Sequence, residues 1–139
     1  MSVPSAAAAT REIRSWLMDM DGVLVHEEHV LPGADAFLAR LRELGVPFLV
    51  LTNNSMYTRR DLSARLRASG LEVPEEAIWT SALATAQFLQ AQRPGGTAYV
   101  VGEVGLTTAL HNVGYTLTER VAELGGMTQF VDRPLALRD

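Results

Sequence analysis

The sequence predicts an α/β protein with a parallel sheet and flanking helices, and three observations support this fold class. Short apolar runs of strand length alternate along the chain with amphipathic runs of helix length. The run from Val46 to Leu51 is apolar throughout, which is typical of a strand covered on both faces in a parallel sheet. The strand, helix and strand that come first have the order of a βαβ unit, the connection that joins parallel strands.

The first βαβ unit is the most clearly marked part of the sequence. A strand is expected from Ile13 to Met18, and the acidic turn Asp19-Met20-Asp21-Gly22 closes it. A helix over 34–44 follows, with a proline and a glycine at its start, apolar residues at helical spacing and a glycine at its end. The second strand covers 46–51 and ends at Thr52-Asn53-Asn54-Ser55.

Further along the chain the alternation continues with shorter elements. The segment Arg93-Pro94-Gly95-Gly96 is the strongest break and predicts a boundary. The elements expected on its two sides are a helix over 58–69, a strand over 78–80, a helix over 82–92, a strand over 97–101, a helix over 106–111 and a strand over 115–117.

Composition limits the function classes. The 139 residues are 47% hydrophobic and 20% charged, as in an ordinary globular domain, and the net charge of −4 argues against nucleic acid or an anionic membrane as a partner. Residues 1–10 lack the features of a signal peptide and are expected to be a flexible arm, so a cytoplasmic protein is predicted. The chain has no cysteine, which excludes disulfides and thiolate ligands, and all twelve of its basic residues are arginine.

Asp19 and Asp21 stand where chemistry is expected in this fold class. In open α/β sheets, ligands bind outside the carboxyl ends of the strands, and both aspartates follow the first strand. Two close carboxylates repel each other unless a cation lies between them or one is protonated, and both situations suit phosphoryl transfer. Thr52 ends the neighbouring strand, so its hydroxyl and nearby backbone N–H groups are candidates for holding phosphate oxygens.

These two strand ends resemble motifs I and II of the haloacid dehalogenase (HAD) superfamily. Asp19-Met20-Asp21-Gly22-Val23-Leu24 is similar to motif I and Leu51-Thr52-Asn53-Asn54-Ser55 to motif II. Three more segments resemble the branch with a type-2 cap, which includes 4-nitrophenyl, phosphoglycolate and pyridoxal phosphatases and NagD-like nucleotide phosphatases. They are Leu31 to Ala34, Thr80 to Ala86 and Val101 to Leu106.

The resemblance implies a partial HAD Rossmann-like core followed by the start of a type-2 cap. Residues 11–94 would form the first half of the core, and residues 95–139 the start of the cap and a divergent tail. It also implies a magnesium-dependent phosphatase of small phosphorylated metabolites that forms an aspartyl-phosphate. Asp19 would be the nucleophile and a Mg²⁺ ligand, and Asp21 would be the general acid/base and offer its backbone carbonyl to the metal.

Four further residues receive roles from the resemblance. Gly22 would permit the turn after motif I, Thr52 would hydrogen-bond the phosphoryl group, the Asn53 backbone N–H would assist, and Asn54 would shape the pocket. Magnesium also suits these residues on chemical grounds, because hard cations take carboxylate and carbonyl oxygens.

The sequence departs from the family at two later motifs. Motif III supplies a lysine, which this chain lacks, and motif IV supplies further aspartates, for which Phe130-Val131-Asp132 is a faint counterpart; Asp139 is the remaining late aspartate. The alternative function is therefore a truncated, non-catalytic fragment that retains only the phosphate- and metal-binding corner. A half-core would leave the first strand's edge uncovered, which predicts dimerisation or aggregation.

Simpler interpretations compete at each motif. Asp19 and Asp21 are also typical of a turn that ends a strand, and Thr52-Asn53-Asn54 of an Asx turn before a helix. His26-Glu27-Glu28-His29 lacks the spacing of a helical zinc motif and is interpreted as a solvated flap. Gly102 and Gly105 suggest a phosphate loop but lack the rest of a dinucleotide fingerprint, so they are interpreted as a plain turn without a ligand.

Overall fold

The computed structural model describes residues 12–118, which form seven strands, four α-helices and one 3₁₀ turn. In chain order these are β1 (Trp16–Asp19), β2 (Val25–His26), β3 (His29–Val30), α1 (Ala34–Glu43), β4 (Phe48–Thr52), α2 (Arg59–Ala68), the 3₁₀ turn (Glu75–Ala77), β5 (Ile78–Thr80), α3 (Ser81–Gln92), β6 (Thr97–Tyr99), α4 (Val104–Asn112) and β7 (Thr116–Thr118).

The main sheet has the strand order β1-β4-β5, and both of its pairings are parallel. The predicted parallel α/β architecture is therefore confirmed. Strand β1 begins at Trp16, three residues later than expected from the apolar run, because its pairing with β4 starts at the Trp16–Phe48 partnership. Strand β4 lies between the other two strands, and Val50 at its centre is fully buried, as its continuous apolar sequence predicts.

The first hydrophobic core lies between this sheet and the helices α1 and α2. Leucines at helical spacing face the sheet, which is the arrangement that the amphipathic sequence of each helix predicts. The largest of its fully buried side chains are Leu24, Leu38, Val50, Leu71, Val73 and Ile78.

A second hydrophobic cluster joins α3 to the elements that follow it. Strands β6 and β7 pair in parallel, and α4, which connects them, packs on α3. Ala82 and Ala86 of α3 lie in one cluster with Ala109 and Leu110 of α4 and with Tyr115. We call α4, β6 and β7 the second lobe. Helix α3 directly follows β5 of the main sheet, and its buried alanines lie in this second cluster, whereas the sequence predicts a boundary after residue 94.

The predicted flap is a short hairpin. Strands β2 and β3 pair antiparallel through Val25–Val30 and His26–His29, and Glu27 at the tip has a φ of 56°. Two-residue strands are too short to produce an alternating pattern, so the sequence predicts a loop here. The segment from His26 to His29 is exposed, and the region 12–118 contains no cluster of three or more histidine or acidic residues suited to a metal ion. None of the helices described is long and apolar enough to span a membrane.

Candidate active site

Three parallel strands end side by side at one edge of the main sheet. Asp19, Thr52 and Thr80 are the last residues of β1, β4 and β5. Thr52 is paired with Thr80, and Asp19 with Leu51, so Asp19 lies one residue before the register of the two threonines. This carboxyl edge is where the fold class places a ligand site.

A tight turn presents both aspartates at this edge. The Met20 N–H lies 2.9 Å from the Leu51 carbonyl oxygen and 2.9 Å from Asp19 Oδ1, which continues the sheet pairing and orients the carboxylate. The Gly22 N–H donates to the Val25 carbonyl at 2.7 Å, and Gly22 has a φ of 80°, a conformation that favours glycine. Met20 is buried while Asp19 and Asp21 are exposed, so the turn keeps both carboxylates accessible.

Thr52 connects the turn after β1 to the loop after β4. Its hydroxyl donates to Asp21 Oδ2 at 3.2 Å and accepts from the Asn54 N–H at 3.1 Å. Thr52 is only 5% exposed, so its side chain has little freedom to leave this position. Residues 31 positions apart in the sequence thus share one hydrogen-bonded corner.

The loop after β4 folds around the side chain of Asn54. Its Oδ1 accepts from the N–H groups of Met56 at 3.0 Å and Tyr57 at 3.2 Å. This is the Asx-turn geometry that the simpler interpretation of the motif predicts, but the cap of α2 is formed by Thr58 and not by an asparagine. Asn53 is exposed beside Thr52. The structure therefore brings Asp19, Asp21, Gly22, Thr52, Asn53 and Asn54 to one corner.

Two helices outside the two motifs contact this loop. Ser81, the first residue of α3, donates its hydroxyl to the Asn53 carbonyl at 2.8 Å. Arg65 of α2 lies 4.6 Å from the centroid of the Tyr57 ring and 3.0 Å from the carboxylate of Glu28 at the hairpin tip. Ser81 could have been identified from the sequence, because it directly follows the third strand end.

Gly105 contacts the same loop from the second lobe. Its N–H donates to the Met56 carbonyl at 3.0 Å, and Gly105 is buried at the start of α4. The sequence pattern predicts a turn without a ligand at Gly102 and Gly105, and it does not predict this contact between Gly105 and the loop. Sequence spacing gave no signal for it, because the two segments are nearly fifty residues apart.

The electrostatics of the corner favour a cation. Within residues 12–118, neither Asp19 nor Asp21 takes part in an ion pair. Each carboxylate can accept about four hydrogen bonds, and the contacts described above use few of these positions. Mg²⁺ typically binds one or two carboxylates together with waters and substrate phosphates, so this set of oxygen donors suits it.

Two cavities lie near the corner. A groove of about 500 Å³ runs beside β1, with Asp19 at its edge and Trp16, Leu17, Val23 and Phe37 among its apolar walls. A second cavity of about 620 Å³ lies between α2 and α4 and is lined by Tyr57, Thr58 and Gly105, among others, but by neither aspartate. Asp19 is thus reached from the groove, and both aspartates are exposed to solvent.

Parallel strands that end in two carboxylates and a buried threonine define an α/β domain of the Rossmann-like class with a polar ligand corner. The model of the haloacid dehalogenase-like hydrolase family matches residues 16–116, and the chain belongs to this family. The part of the predicted motif IV at Phe130-Val131-Asp132, as well as Asp139, lies outside the described residues.

Individual relatives agree with this assignment. Over 105 residues the chain is 63% identical to dihydroxyacetone phosphatase from Corynebacterium glutamicum, covering 76% of this chain and 38% of that protein. Over 107 residues it is 42% identical to the ribonucleotide monophosphatase NagD of Escherichia coli, covering 77% of this chain and 42% of that protein. The chain thus spans about two fifths of the length of these relatives.

Solved structures show the same partial match. The structure of E. coli NagD superposes with a TM-score of 0.73 at 40% identity, covering 78% of this chain and 43% of that chain. A glycerol phosphate phosphatase from Mycobacterium tuberculosis, solved in complex with magnesium, gives a TM-score of 0.71 at 28% identity, covering 77% and 32%. The prediction of a partial HAD-type α/β fold that is similar to NagD is confirmed.

Proposed function

We propose that this chain carries the nucleophile and phosphate-binding half of a magnesium-dependent phosphatase of small phosphorylated metabolites. The observation that carries the proposal is the hydrogen bond from Thr52 to Asp21, which unites the motif I acid and the motif II hydroxyl in one corner. The named activities of the relatives, a dihydroxyacetone phosphatase and a ribonucleotide monophosphatase, support the same reaction class.

The proposed chemistry has two steps. In the first, the Asp19 carboxylate attacks phosphorus, the bond from phosphorus to the leaving oxygen breaks, and Asp21 gives that oxygen a proton. In the second, water attacks the aspartyl-phosphate, Asp21 takes a proton from the water, and inorganic phosphate leaves as the Asp19 carboxylate is restored. The exposure of both carboxylates at the mouth of the turn is consistent with this use.

Thr52 and the loop after it would bind the phosphoryl oxygens. The Thr52 hydroxyl rotates freely about its C–O bond, so it can turn its proton from Asp21 to a phosphate oxygen when a substrate arrives. The Asn53 backbone N–H would assist, Asn54 would keep the loop folded through its bonds to Met56 and Tyr57, and Gly22 would hold the turn.

Magnesium is the proposed cofactor. The Asp19 carboxylate and the Asp21 backbone carbonyl would hold it, and when bound it supplies positive charge that offsets the charge of the phosphoryl group. The magnesium complex of the M. tuberculosis neighbour supports this choice of metal.

A second candidate function is a phosphate- and metal-binding lobe that does not turn substrate over. It is favoured by the absence of lysine from the sequence, since the family's motif III places a lysine beside the nucleophile and the phosphate. Arginine replaces such a lysine only in part, because its planar guanidinium places the charge differently.

The two candidates are separated by measuring Mg²⁺-dependent hydrolysis of 4-nitrophenyl phosphate by the full chain, with Asp19→Asn as the matched control. We expect hydrolysis that requires Mg²⁺ and is lost in the variant, whose fold is checked by circular dichroism. Hydrolysis no faster than that of the folded control would contradict the phosphatase and support the binding lobe.

A further inference from the structure

Gly105 of α4 lies so close to the loop after β4 that a side chain at this position would clash with the loop. A Cβ atom at position 105 would lie 2.5 Å from the backbone oxygens of both Ser55 and Tyr57. Real Cβ atoms essentially never approach other atoms this closely, and the two oxygens belong to the backbone, so no change of rotamer would relieve the clash. Glycine is therefore required here by space.

The contact is continuous with the phosphate corner. The Gly105 N–H donates to the Met56 carbonyl, the Met56 N–H donates to Asn54 Oδ1, and the Asn54 N–H donates to Thr52 Oγ1. The Thr52 hydroxyl in turn donates to Asp21. Four successive hydrogen bonds thus lead from the first turn of α4 to a motif I carboxylate.

Two further contacts hold this loop near its two ends. Ser81 holds the Asn53 carbonyl at one end, and Arg65 packs on the Tyr57 ring at the other. Gly105 contacts the middle of the loop at Met56, whose N–H is bonded to Asn54 Oδ1. A displacement of this middle part would move the acceptor and donor groups of Asn54.

We propose that Gly105 is a positioning residue for phosphate binding, through which α4 of the second lobe sets the shape of the loop that carries Asn54. This inference rests on the proposed function, and it extends that function by making the phosphate corner depend on an element outside both motifs. Gly105 acts through the loop and does not itself contact phosphate.

The cavity of about 620 Å³ gives α4 and the loop room to respond to a methyl group at position 105. Gly105, Tyr57 and Thr58 line this cavity, so α4 and the loop have space in which to move apart. Alanine at position 105 is therefore expected to shift the loop without unfolding the first hydrophobic core, whose buried residues lie outside the loop and which the loop meets through the partly buried Tyr57.

The test uses amide NMR spectra and amide hydrogen exchange of the full chain, followed by titration with inorganic phosphate in the presence of Mg²⁺. The variants are Gly105→Ala and, as a matched control, Gly102→Ala. A Cβ at Gly102 would meet the side chains of Leu106 at 3.3 Å and Val100 at 3.7 Å, and no loop atom is among its nearest contacts.

In Gly105→Ala we expect the amides of Asn54, Met56 and Tyr57 to shift and to exchange at least tenfold faster, and phosphate affinity to fall at least fivefold. Amides of α1 and β4 are expected to stay unchanged, and Gly102→Ala to resemble the wild type. Wild-type loop amides or wild-type phosphate affinity in a folded Gly105→Ala variant, or an equal loop response in Gly102→Ala, would overturn the proposal.

Amide hydrogen exchange of the wild-type chain provides a second test. It can be applied even if the Gly105→Ala variant does not fold. If α4 and the loop open together, the amides of Gly105 and Met56 have similar protection, and a difference of more than tenfold overturns the proposal. Failure of the wild-type chain to bind phosphate would count against the proposed function, while the loop amides still decide whether Gly105 sets the loop.

Discussion

At the scale of single residues, Thr52 determines whether the two motifs act as one site. Its hydroxyl serves Asp21 and the Asn54 N–H at once, and it is buried. Valine has nearly the same shape but no hydroxyl, so it would leave both partners without their hydrogen bond. Serine would keep the bonds and lose only a methyl group.

We predict that Thr52→Val weakens binding of inorganic phosphate in the presence of Mg²⁺ and that Thr52→Ser does so much less. Hydrogen bonds to charged groups contribute about 1.5–3 kcal/mol, which corresponds to roughly tenfold to a hundredfold in affinity. Isothermal titration calorimetry measures the effect. Equal affinities of the folded valine variant and the wild type would show that the hydroxyl does not contact phosphate.

Thr58 and Asp61 form a capping box at the start of α2. The hydrogen bond from the Thr58 side chain lowers the pKa of Asp61 below its ordinary value of 3.8, and the bond from the Thr58 backbone N–H lowers it further. Because the folded pKa is below the unfolded one, the stabilisation by ionised Asp61 is fully present above pH 3.8. It is lost as the pH falls through the lowered folded value.

We therefore predict that Thr58→Ala destabilises the chain near neutral pH and raises the pKa of Asp61 towards its ordinary value. Loss of an N-cap threonine costs about 1 kcal/mol of unfolding free energy. The stability difference between variant and wild type should shrink below pH 3.8. Urea unfolding at several pH values, with an NMR titration of Asp61, measures both effects, and a pH-independent difference would contradict the role of the carboxylate.

The residues of the candidate site were predictable to different degrees. Asp19, Asp21 and Thr52 could be found because they end buried apolar runs, and parallel strands bring such ends together. Ser81 follows the same rule at β5. Gly105 could not be found, because its role comes from a tertiary contact with a loop nearly fifty residues away and no local pattern encodes that contact.

At the scale of elements, Tyr115 links the end of α3 to the second lobe. Its hydroxyl lies 2.9 Å from the Leu89 carbonyl and 2.6 Å from the Arg93 carbonyl, in the last turn of α3 and at its C-cap. The Leu89 carbonyl also accepts from the Arg93 N–H at 2.8 Å, whereas the Arg93 carbonyl lies past the last residue of α3, so the hydroxyl supplies a side-chain partner at the end of the helix. The ring also packs against Gly96, where a Cβ would meet it at 2.8 Å.

We predict that Tyr115→Phe lowers the free energy of unfolding by about 1–2 kcal/mol, because the ring stays and only the hydroxyl is lost. Tyr99→Phe is a matched control, since Tyr99 is 60% exposed on β6. Urea unfolding followed by circular dichroism gives both values. If the two variants lose equal stability, the hydrogen bonds to the end of α3 are not the cause.

Element boundaries show where sequence patterns stop being informative. The helices α1 and α2 are within one residue of their predicted ends, because glycines and a capping threonine mark them. The hairpin of β2 and β3 is not predicted by the sequence, because its strands have two residues each. The packing of α3 with the second lobe has no clear pattern in the sequence either, since the small apolar residues of α3 are spread around the helix.

At the scale of the whole molecule, strand β1 has an open edge. Its one pairing within residues 12–118 is with β4, so the backbone groups on its other side have no strand partner in the part described. The apolar groove of about 500 Å³ lies along this strand, and Leu17 is 68% exposed there. An exposed apolar edge strand is a template for pairing with another chain.

We predict that this chain self-associates through β1 and that Leu17→Lys shifts it towards the monomer, because a charged side chain on an edge strand opposes close strand pairing. Val101→Lys is the matched control, since it adds the same charge at a residue that is 86% exposed on the second lobe. Size-exclusion chromatography with light scattering, over a range of concentrations, measures the mass of each form. A wild-type chain that is a monodisperse monomer and unfolds cooperatively would show that the open edge of β1 does not drive association, and an equal response to both lysines would place the interface elsewhere.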